Sequence, residues 1–186
     1  MMTYHIVQVD NSRLSEFNRI SISFEVHSVY DVIDDQEKIT LIERPLLTSY
    51  VKDYDQLESN SPHSWNSMDT SGWGIFLALD TTDNDKPPIG GAIVIMPECT
   101  LWDLRVLPTY RHLGVGRALF KHAIEWCKQQ RITTCMSIET QNTNVIACRF
   151  YAAMGARLGD IDRKAYEHNE QVKDEIRLNW YIDFNS

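Results

Sequence analysis

The stretch Arg111-His112-Leu113-Gly114-Val115-Gly116 constrains the fold of this chain most, because it joins a predicted strand to a predicted long helix. Thr100–Val106 has the character of a strand, and Pro108 ends it. Apolar residues then recur at helical spacing: Val115, Ala118, Leu119, Ala123 and Trp126. Glycines let a backbone approach a ligand closely, and the unpaired N–H groups of a first helical turn favour anions. The sequence therefore predicts a diphosphate site, which four basic side chains surround: Arg111, His112, Arg117 and Lys121.

Two of three known phosphate-binding patterns do not fit this loop. A Walker loop needs Gly-x-x-x-x-Gly-Lys-Ser/Thr, a string that the chain does not contain. A dinucleotide fingerprint needs a third glycine at the position of Leu119. The remaining pattern, Arg-x-x-Gly-x-Gly between a strand and a helix, resembles the acetyl-coenzyme A loop of the GNAT superfamily of N-acetyltransferases. The alternative is that the glycines only shape a turn for packing.

A second block carries the same resemblance further along the chain. Thr134–Thr140 has the pattern of a strand, and a short helix follows between Asn144 and Gly155, which suit its two caps. The segment resembles the next block of the superfamily, Asn-x-x-Ala-x-x-Phe-Tyr-x-x-x-Gly. Two ordered blocks in the right strand and helix context extend the resemblance over about residues 72–183.

The remaining elements predict an α/β fold. A helix capped by Ser12 is expected at Ser12–Ile22, and residues 23–71 predict one further helix and a long loop. A turn is expected at residues 83–88. Further strands are expected at these positions: Tyr4–Val9, Gly72–Asp80, Ile89–Met96, Leu158–Tyr166 and Glu175–Phe184. The element order matches the fold that the resemblance implies, a central mixed, mostly antiparallel sheet flanked by helices.

The resemblance implies that acetyl-coenzyme A is the cosubstrate. Its pantetheine arm would pair with the backbone of Leu104, Arg105 and Val106, and an N–H group near Val106 would polarise the thioester carbonyl. Backbone groups of seven consecutive residues would bind the diphosphate: Arg111, His112, Leu113, Gly114, Val115, Gly116 and Arg117. Asn144 would bond to the pantetheine arm, or else it only caps its helix. The transfer requires no metal ion.

The resemblance also implies the catalytic groups. Tyr151 has the general-acid position, from which a phenol protonates the departing sulfur, although a Phe-Tyr pair can also belong to a core. An amine with a pKa of about 10.4 is almost wholly protonated at pH 7, so a base must take its proton. Asp103 and Glu139 on two strands are the candidates, and either could instead pair with Arg105 or Arg149. A water relay is the third possibility.

The charge of the chain is divided unevenly. Residues 1–100 carry 16 acidic and 6 basic side chains, a net charge of −10, whereas residues 101–186 carry 10 acidic and 12 basic ones, a net charge of +2. The second half suits the coenzyme A anion, and the first half favours a cationic acceptor. The alternative is an acidic surface that only maintains solubility. A nucleic-acid partner would need a basic stripe, so none is expected.

Six strings resemble the streptothricin acetyltransferases, a subgroup of bacterial antibiotic-resistance enzymes, and several of them lie outside the general coenzyme A motifs. The strings are Ile42–Pro45, Tyr50–Asp55, Leu101–Val106, Glu139–Val145, Ala147–Tyr151 and Ile161–Tyr166. This resemblance implies a cationic small-molecule acceptor, an amine of the β-lysine tail of streptothricin. Five acidic and aromatic residues could contact it through ion pairs and cation–π interactions: Tyr50, Asp53, Tyr54, Asp55 and Trp65. Each of them could instead anchor a loop.

Length and composition predict one cytoplasmic domain. The 186 residues suffice for a single core, here an acetyltransferase domain with an acceptor-side part, 1–71, and a cosubstrate-binding core, 72–183. No apolar run approaches a membrane span, and no export signal is visible. The four cysteines lack metal-like spacing, which predicts reduced thiols and no metal site. The chain could be a monomer or a homodimer.

Two other functions share these features. Acetylation of a protein N-terminus, a ribosomal protein or a polyamine uses the same coenzyme A motifs and differs only in the acceptor cleft. A regulatory domain that binds acyl-coenzyme A without turnover belongs to a different class. Such a domain would not need Tyr151 or the strand carboxylates, so their presence disfavours it. The expected reaction is a direct transfer in a ternary complex.

Overall fold

The computed structural model describes residues 3–35, 37–57, 64–82 and 87–184. The chain divides into two compact units, one containing Met1–Ser23, Asp53–Met136 and Phe184–Ser186, and the other Phe24–Lys52 and Ser137–Asp183. These units do not coincide with the expected parts 1–71 and 72–183, because the chain leaves the first unit at residue 24 and returns at residue 53. The assignment of a single domain stays a prediction.

The elements confirm an α/β fold with mostly antiparallel strands. Numbered along the chain, they are β1 Tyr4–Val9, β2 Phe24–Asp34, β3 Ile39–Lys52, β4 Gly74–Asp80, β5 Gly90–Ile95, β6 Thr100–Val106, α1 Val115–Gln130, β7 Cys135–Gln141, α2 Val145–Ala153, β8 Arg157–Asp162 and β9 Arg177–Asp183. Shorter 3-10 helices lie at Asn11–Arg19, Tyr54–Gln56, Ser64–Ser67 and Pro108–Tyr110.

Strands of the first unit follow the order β1-β4-β5-β6, and each pairs antiparallel with its neighbour. β4 and β5 are buried along almost their whole length, as expected of strands covered on both faces. On one face, Phe17 and Trp65 pack edge to face with ring centroids 6.0 Å apart, in a core that includes Ile75 and Ile93. A Cβ on Gly91 would lie 2.7 Å from the Phe17 ring, so only glycine allows this close approach.

Helix α1 covers the other face of the same strands. The Phe76 ring packs edge to face against His122 and Trp126, with ring centroids 5.0 and 5.8 Å apart. A Cβ on Gly74 would lie 2.9 Å from the Trp126 ring. These contacts fix α1 on the sheet, and thereby fix the loop from which the helix begins.

In the second unit β2 and β3 form an antiparallel ribbon, and three further strands follow the order β7-β9-β8. Asn142 holds several parts of this unit together. Its side-chain amide donates to the main-chain carbonyl of Tyr30 at 3.0 Å, and its main-chain carbonyl accepts from the Tyr30 N–H at 2.8 Å. Its side-chain oxygen accepts from the N–H of Ile176 at 2.9 Å. One amide side chain therefore joins β2 to the segment before β9.

Most predicted elements are confirmed in type and lie within four residues of the expected bounds, and β1 and β6 have the bounds expected. Two predictions for the N-terminal part were wrong. The helix expected at Ser12–Ile22 is a 3-10 helix capped by Asp10, whose carboxylate accepts from the Ser12 N–H at 2.9 Å. The further helix expected in residues 23–71 is the β2–β3 ribbon. Residues 83–86 of the expected turn lie outside the described residues.

Candidate active site

The loop between β6 and α1 has the backbone geometry of an anion site. His112 and Gly114 have φ angles of 63° and 88°, in the left-handed region. Gly114 precedes the first turn of α1, whose N–H groups have no acceptor within the helix. A Cβ built on Gly114 would meet no atom within 4 Å, so the loop is open at this point. Exposed Arg117 and Lys121 add positive charge. These features suit a diphosphate.

The side chain of Arg111 fastens this loop to its surroundings. Its Nε donates to the carbonyl of Val106 at 3.0 Å, and its Nη2 donates to the carbonyl of Ser23 at 2.8 Å. Burial lowers the pKa of this guanidinium. Arg111 therefore stabilises the end of β6, and the loop's main chain and the exposed cations remain to face an anion.

The predicted pantetheine strand is irregular near its middle. Gly90 pairs with Val106 and Ala92 with Leu104, but Ile93 pairs with Asp103 and Val94 with Leu101. Trp102 is thus an extra residue on β6, a bulge that changes the direction of the strand. Leu104 and Val106 are half-buried.

Arg105 forms a buried charge cluster on the opposite face of β6. Its Nε donates to Oδ1 of Asp103 at 2.8 Å and its Nη2 to Oδ2 at 2.5 Å. The same guanidinium donates to Asp55 at 2.8 and 3.1 Å and to the carbonyl of Ile20 at 3.1 Å. It lies 5.6 Å from the Trp65 ring. Because its side chain is wholly buried, only the main chain of Arg105 is available to a cosubstrate.

Burial and ion pairing act against each other in this cluster. Burial raises the pKa of Asp103, and Arg105 reduces that rise. Burial alone would lower the pKa of Arg105, but Asp103 and Asp55 together raise it above its ordinary value. Asp103 was predicted as one of two candidate bases, with an ion pair to Arg105 as the alternative. The structure shows that ion pair.

Four of the five predicted acceptor residues have structural contacts in the first unit. Tyr54 and Trp65 are buried, the latter with 1% of its surface exposed, and their contact with an acceptor stays a prediction. The carboxylate of Asp53 accepts from the Asp55 N–H at 3.1 Å and caps a 3-10 helix, and Asp55 pairs with Arg105. Tyr54 and Trp65 are buried because they pack against residues that are distant in sequence.

Tyr50, the fifth of these residues, lies in the second unit on β3 and is 43% exposed. Nearby residues Ile42, Leu47 and Val51 are also exposed. The ribbon therefore presents an apolar and aromatic surface alongside its charged side chains.

Helix α2 holds the predicted acid and the predicted pantetheine contact. Asn144 caps the helix, since its side-chain oxygen accepts from the Ala147 N–H at 3.1 Å. Tyr151 is 7% exposed and packs edge to face against Phe150, with ring centroids 5.2 Å apart. The N–H groups of Met154 and Ala156 donate to the carbonyl of Tyr151 and end the helix. These contacts give Tyr151 a fixed backbone position.

Glu139 lies on the exposed face of β7. Its Oε1 accepts from the hydroxyl of Tyr166 at 2.7 Å, and its Oε2 lies 3.7 Å from Nη1 of Arg177. Arg149, the pairing partner expected as the alternative, is bonded to Glu43 instead. Sequence reasoning missed Tyr166 as a partner, although it lies within the string Ile161–Tyr166.

A metal-binding cluster and a membrane-spanning helix are both absent from the part of the chain that the structure describes. No three His, Cys, Asp or Glu side chains there are grouped so that they could hold a metal ion. None of the helices within residues 3–35, 37–57, 64–82 and 87–184 has the length and apolarity needed to cross a membrane.

Comparison with known proteins identifies the family. The sequence profile of the acetyltransferase (GNAT) family matches residues 37–156, which include the loop before α1 and the whole of α2. The chain belongs to the GNAT acetyltransferase family. It is an N-acetyltransferase whose cosubstrate is acetyl-coenzyme A, and its α/β architecture is the GNAT fold.

The relatives found by sequence comparison fall into two groups, streptothricin acetyltransferases and ribosomal protein bS18-alanine N-acetyltransferases. Streptothricin acetyltransferase of Escherichia coli is 30% identical over 169 residues, which cover 85% of this chain and 84% of that protein. Streptothricin acetyltransferase A of Bacillus subtilis is 40% identical over 82 residues, but these span 44% of this chain and less than half of that enzyme, 46%. The ribosomal protein bS18-alanine N-acetyltransferase of E. coli is 30% identical over 102 residues, 54% of this chain and 68% of that enzyme.

Solved structures show the same fold. A protein described as a streptothricin acetyltransferase of Bacillus anthracis, in complex with acetyl-coenzyme A, is 26% identical with a TM-score of 0.77 and 98% coverage of both chains. A nourseothricin acetyltransferase has the same TM-score at 22% identity, with 97% of this chain and 98% of that chain covered, and this likeness shows the fold alone.

Proposed function

We propose that this GNAT enzyme acetylates an amine of a cationic small molecule, the β-lysine amine of streptothricin, and so gives resistance to that antibiotic. The observation that carries the proposal is the match to the streptothricin acetyltransferase of E. coli. That match extends over 85% of this chain, far more than the coenzyme A motifs between residues 104 and 155 occupy. Acetylation would remove a positive charge from the acceptor.

Cosubstrate binding is proposed for the residues of the first unit that the family resemblance singled out. The main chain of residues 111–117 would bind the diphosphate, supported by the left-handed backbone at His112 and Gly114. The main chain of Leu104, Arg105 and Val106 would bind the pantetheine arm, with an N–H near Val106 polarising the thioester. In the second unit, the side-chain amide of Asn144 would bond to the pantetheine arm, in addition to the capping bond that its side-chain oxygen accepts.

Glu139 is the proposed general base. Its carboxylate is 42% exposed, and Oε2 has no hydrogen bond from the described residues. Asp103, by contrast, is buried and uses both oxygens to bind Arg105. A base must reach a substrate proton directly or through one water, and a buried, doubly bonded carboxylate is poorly suited to that role.

The proposed reaction balances as a direct transfer. One proton of the acceptor's ammonium group passes to Glu139, and the freed nitrogen bonds to the acetyl carbon. The carbon–sulfur bond then breaks, the sulfur leaves with the bonding electrons, and Tyr151 protonates it. The nitrogen gives up a second proton, which replaces the one that Tyr151 supplied, and Glu139 releases its proton to solvent. The products are the acetamide, coenzyme A and one proton.

A second candidate function is acetylation of a protein N-terminus. The similarity to the bS18-alanine N-acetyltransferase of E. coli favours it, although the match covers only 54% of this chain. Both reactions use the same cosubstrate and differ only in the amine, so the acceptor must be identified by experiment.

Mass spectrometry of the products tests the proposal. The protein is incubated with acetyl-coenzyme A and, separately, streptothricin, a peptide with an N-terminal alanine and a diamine. We expect streptothricin to gain one acetyl group faster than the other two amines. Preferential acetylation of the peptide would replace the proposal with the second candidate, and preferential acetylation of the diamine would place the enzyme among polyamine acetyltransferases.

A further inference from the structure

Glu139 belongs to a chain of hydrogen bonds within the second unit. The side-chain amide of Gln141 donates to the hydroxyl oxygen of Tyr166 at 2.9 Å. The Tyr166 hydroxyl in turn donates to Oε1 of Glu139 at 2.7 Å. Glu139 and Gln141 are two residues apart on β7, so both side chains lie on the same face of the strand.

The chemistry of the three groups fixes the direction of these bonds. An amide NH2 group can only donate, so the phenol oxygen of Tyr166 accepts from Gln141. The single phenol proton is then directed to the carboxylate, which accepts without donating when it is ionised. Gln141 therefore orients Tyr166, and Tyr166 orients Glu139.

The second oxygen of Glu139 is held less tightly. Arg177 Nη1 is 3.7 Å from Oε2, beyond hydrogen-bond range, and its Nη2 donates to Asp162 at 3.1 Å. Asp162 thus anchors the guanidinium beside Glu139. One carboxylate oxygen is fixed by a short bond, while the other stays open to a proton.

We propose that Tyr166 is a positioning residue. Gln141 orients the Tyr166 hydroxyl, and this hydroxyl fixes the Glu139 carboxylate so that Oε2 receives the proton of the acceptor ammonium group. The inference rests on the proposed role of Glu139 as base. In the step concerned, the N–H bond of the ammonium breaks, its electron pair stays on nitrogen, and the proton bonds to Oε2. Tyr166 keeps its own proton throughout, so it acts only through Glu139.

Steady-state kinetics of Tyr166→Phe test this inference, with streptothricin and acetyl-coenzyme A varied separately. Loss of one hydrogen bond to a charged group should lower kcat about tenfold. The KM for acetyl-coenzyme A and the midpoint of thermal unfolding should not change. Tyr181→Phe is the matched control, because the Tyr181 hydroxyl donates to Asp160 at 2.8 Å in the same unit. It should leave kcat unchanged.

A double-mutant cycle separates positioning from a general structural effect. In a Glu139→Gln background, Tyr166→Phe should cause no further loss of kcat, because the base through which it acts is gone. Gln141→Leu should lower kcat about threefold in the wild type and not at all in Tyr166→Phe, as expected for a weaker, indirect contribution. These results would support the chain from Gln141 to Glu139.

The outcomes distinguish this inference from the proposed function. Suppose that Glu139→Gln lowers kcat. If Tyr166→Phe lowers kcat further in the Glu139→Gln background, or if Tyr181→Phe lowers kcat as much as Tyr166→Phe does, the positioning role is overturned while the role of Glu139 as base stands. If Glu139→Gln has full activity, both the base and the positioning role are overturned. If streptothricin is not acetylated, the same cycle is measured with the amine that the enzyme does acetylate.

Discussion

The guanidinium of Arg105 donates to both carboxylate oxygens of Asp103, at 2.8 and 2.5 Å, and neither side chain has appreciable contact with solvent. Asp55 binds the same guanidinium, so two carboxylates share one cation. The contacts with Phe17 and Ile20 carbonyls tie the cluster to the N-terminal 3-10 helix. Asp103 thus stabilises the first unit, and a residue that could have been a base serves as a counterion.

Asp103→Asn should therefore destabilise the protein. Removing one partner of a buried ion pair leaves the remaining charge poorly compensated, which typically costs about 3–5 kcal/mol. Because Asp55 remains bound to Arg105, we expect the lower end of that range. Urea unfolding monitored by tryptophan fluorescence measures the change.

Asp183→Asn is the control for this prediction. Asp183 pairs with Arg157 at 2.9 Å, but both side chains are about half exposed. Exposed pairs contribute little, so the unfolding midpoint should stay unchanged. Equal midpoints for both variants would contradict the structural role of Asp103. A folded Asp103→Asn enzyme that has lost its activity would return Asp103 to the list of candidate bases.

Gly114→Ala should weaken acetyl-coenzyme A binding about tenfold. The φ angle of Gly114 is 88°, which strains any residue with a Cβ, although no atom lies within 4 Å of that Cβ. The strain should displace the N–H groups that are proposed to bind the diphosphate, and a tenfold weaker dissociation constant corresponds to about 1.4 kcal/mol. Isothermal titration calorimetry measures the dissociation constant.

Gly155→Ala separates backbone strain from loss of the ligand site. Gly155 has a φ angle of 91° and also has no atom within 4 Å of the added Cβ. Both variants should lose about 1 kcal/mol of unfolding free energy, but only Gly114→Ala should bind acetyl-coenzyme A more weakly. Equal dissociation constants for the two variants would place the diphosphate elsewhere.

The elements that carry the proposed cosubstrate residues could be predicted from sequence because their signals are local. Gly114 supplies a left-handed turn and Asn144 supplies a helix cap, and both depend only on neighbouring residues. β6 was found from the strand character of Thr100–Val106 and from Pro108, which follows it. Turns, caps and alternation operate over a few residues, so tertiary context changes them little.

The β2–β3 ribbon could not be predicted, because its stability depends on pairing between distant residues. Few positions of β3 are buried, so its sequence lacks the alternation that indicates a strand. The pairing is also irregular, since Val26 is opposite Tyr50 but Ser28 is opposite Pro45. The contacts of Trp65 and Tyr166 could not be predicted for the same reason. Their partners, Arg105 and Glu139, are far away in sequence.

The buried thiol of Cys148 should make stability depend on pH in the alkaline range. Burial raises the pKa of Cys148 from about 9 to about 11. Below the pKa of the unfolded thiol both states are protonated and this stabilisation is fully present. It is lost as the pH rises to the folded value, because only the unfolded state releases the proton. Two pKa units correspond to about 2.7 kcal/mol at most.

Urea unfolding of wild type and Cys148→Ala between pH 8 and pH 11 measures this effect. The difference between the two free energies of unfolding should change with pH, with wild type losing more stability as pH rises. Cys135→Ala, at a half-exposed thiol, is the control and should follow the wild type. If the free energies of unfolding of wild type and Cys148→Ala change equally with pH, the thiol does not stay protonated in the folded protein.

Tyr151→Phe should lower kcat while leaving acetyl-coenzyme A affinity unchanged. The substitution removes only the hydroxyl, so α2 keeps its packing against Phe150, and the thiolate must leave without a proton donor. General acid catalysis typically contributes at least about 100-fold, which sets the expected loss. The loss should shrink for an acyl donor whose thiol is more acidic than coenzyme A, because a better leaving group depends less on protonation.

Tyr4→Phe, on β1, is the control and should keep full activity. An unchanged kcat in Tyr151→Phe, or an equal loss with both donors, would assign the proton to solvent and leave Tyr151 as a packing residue of α2.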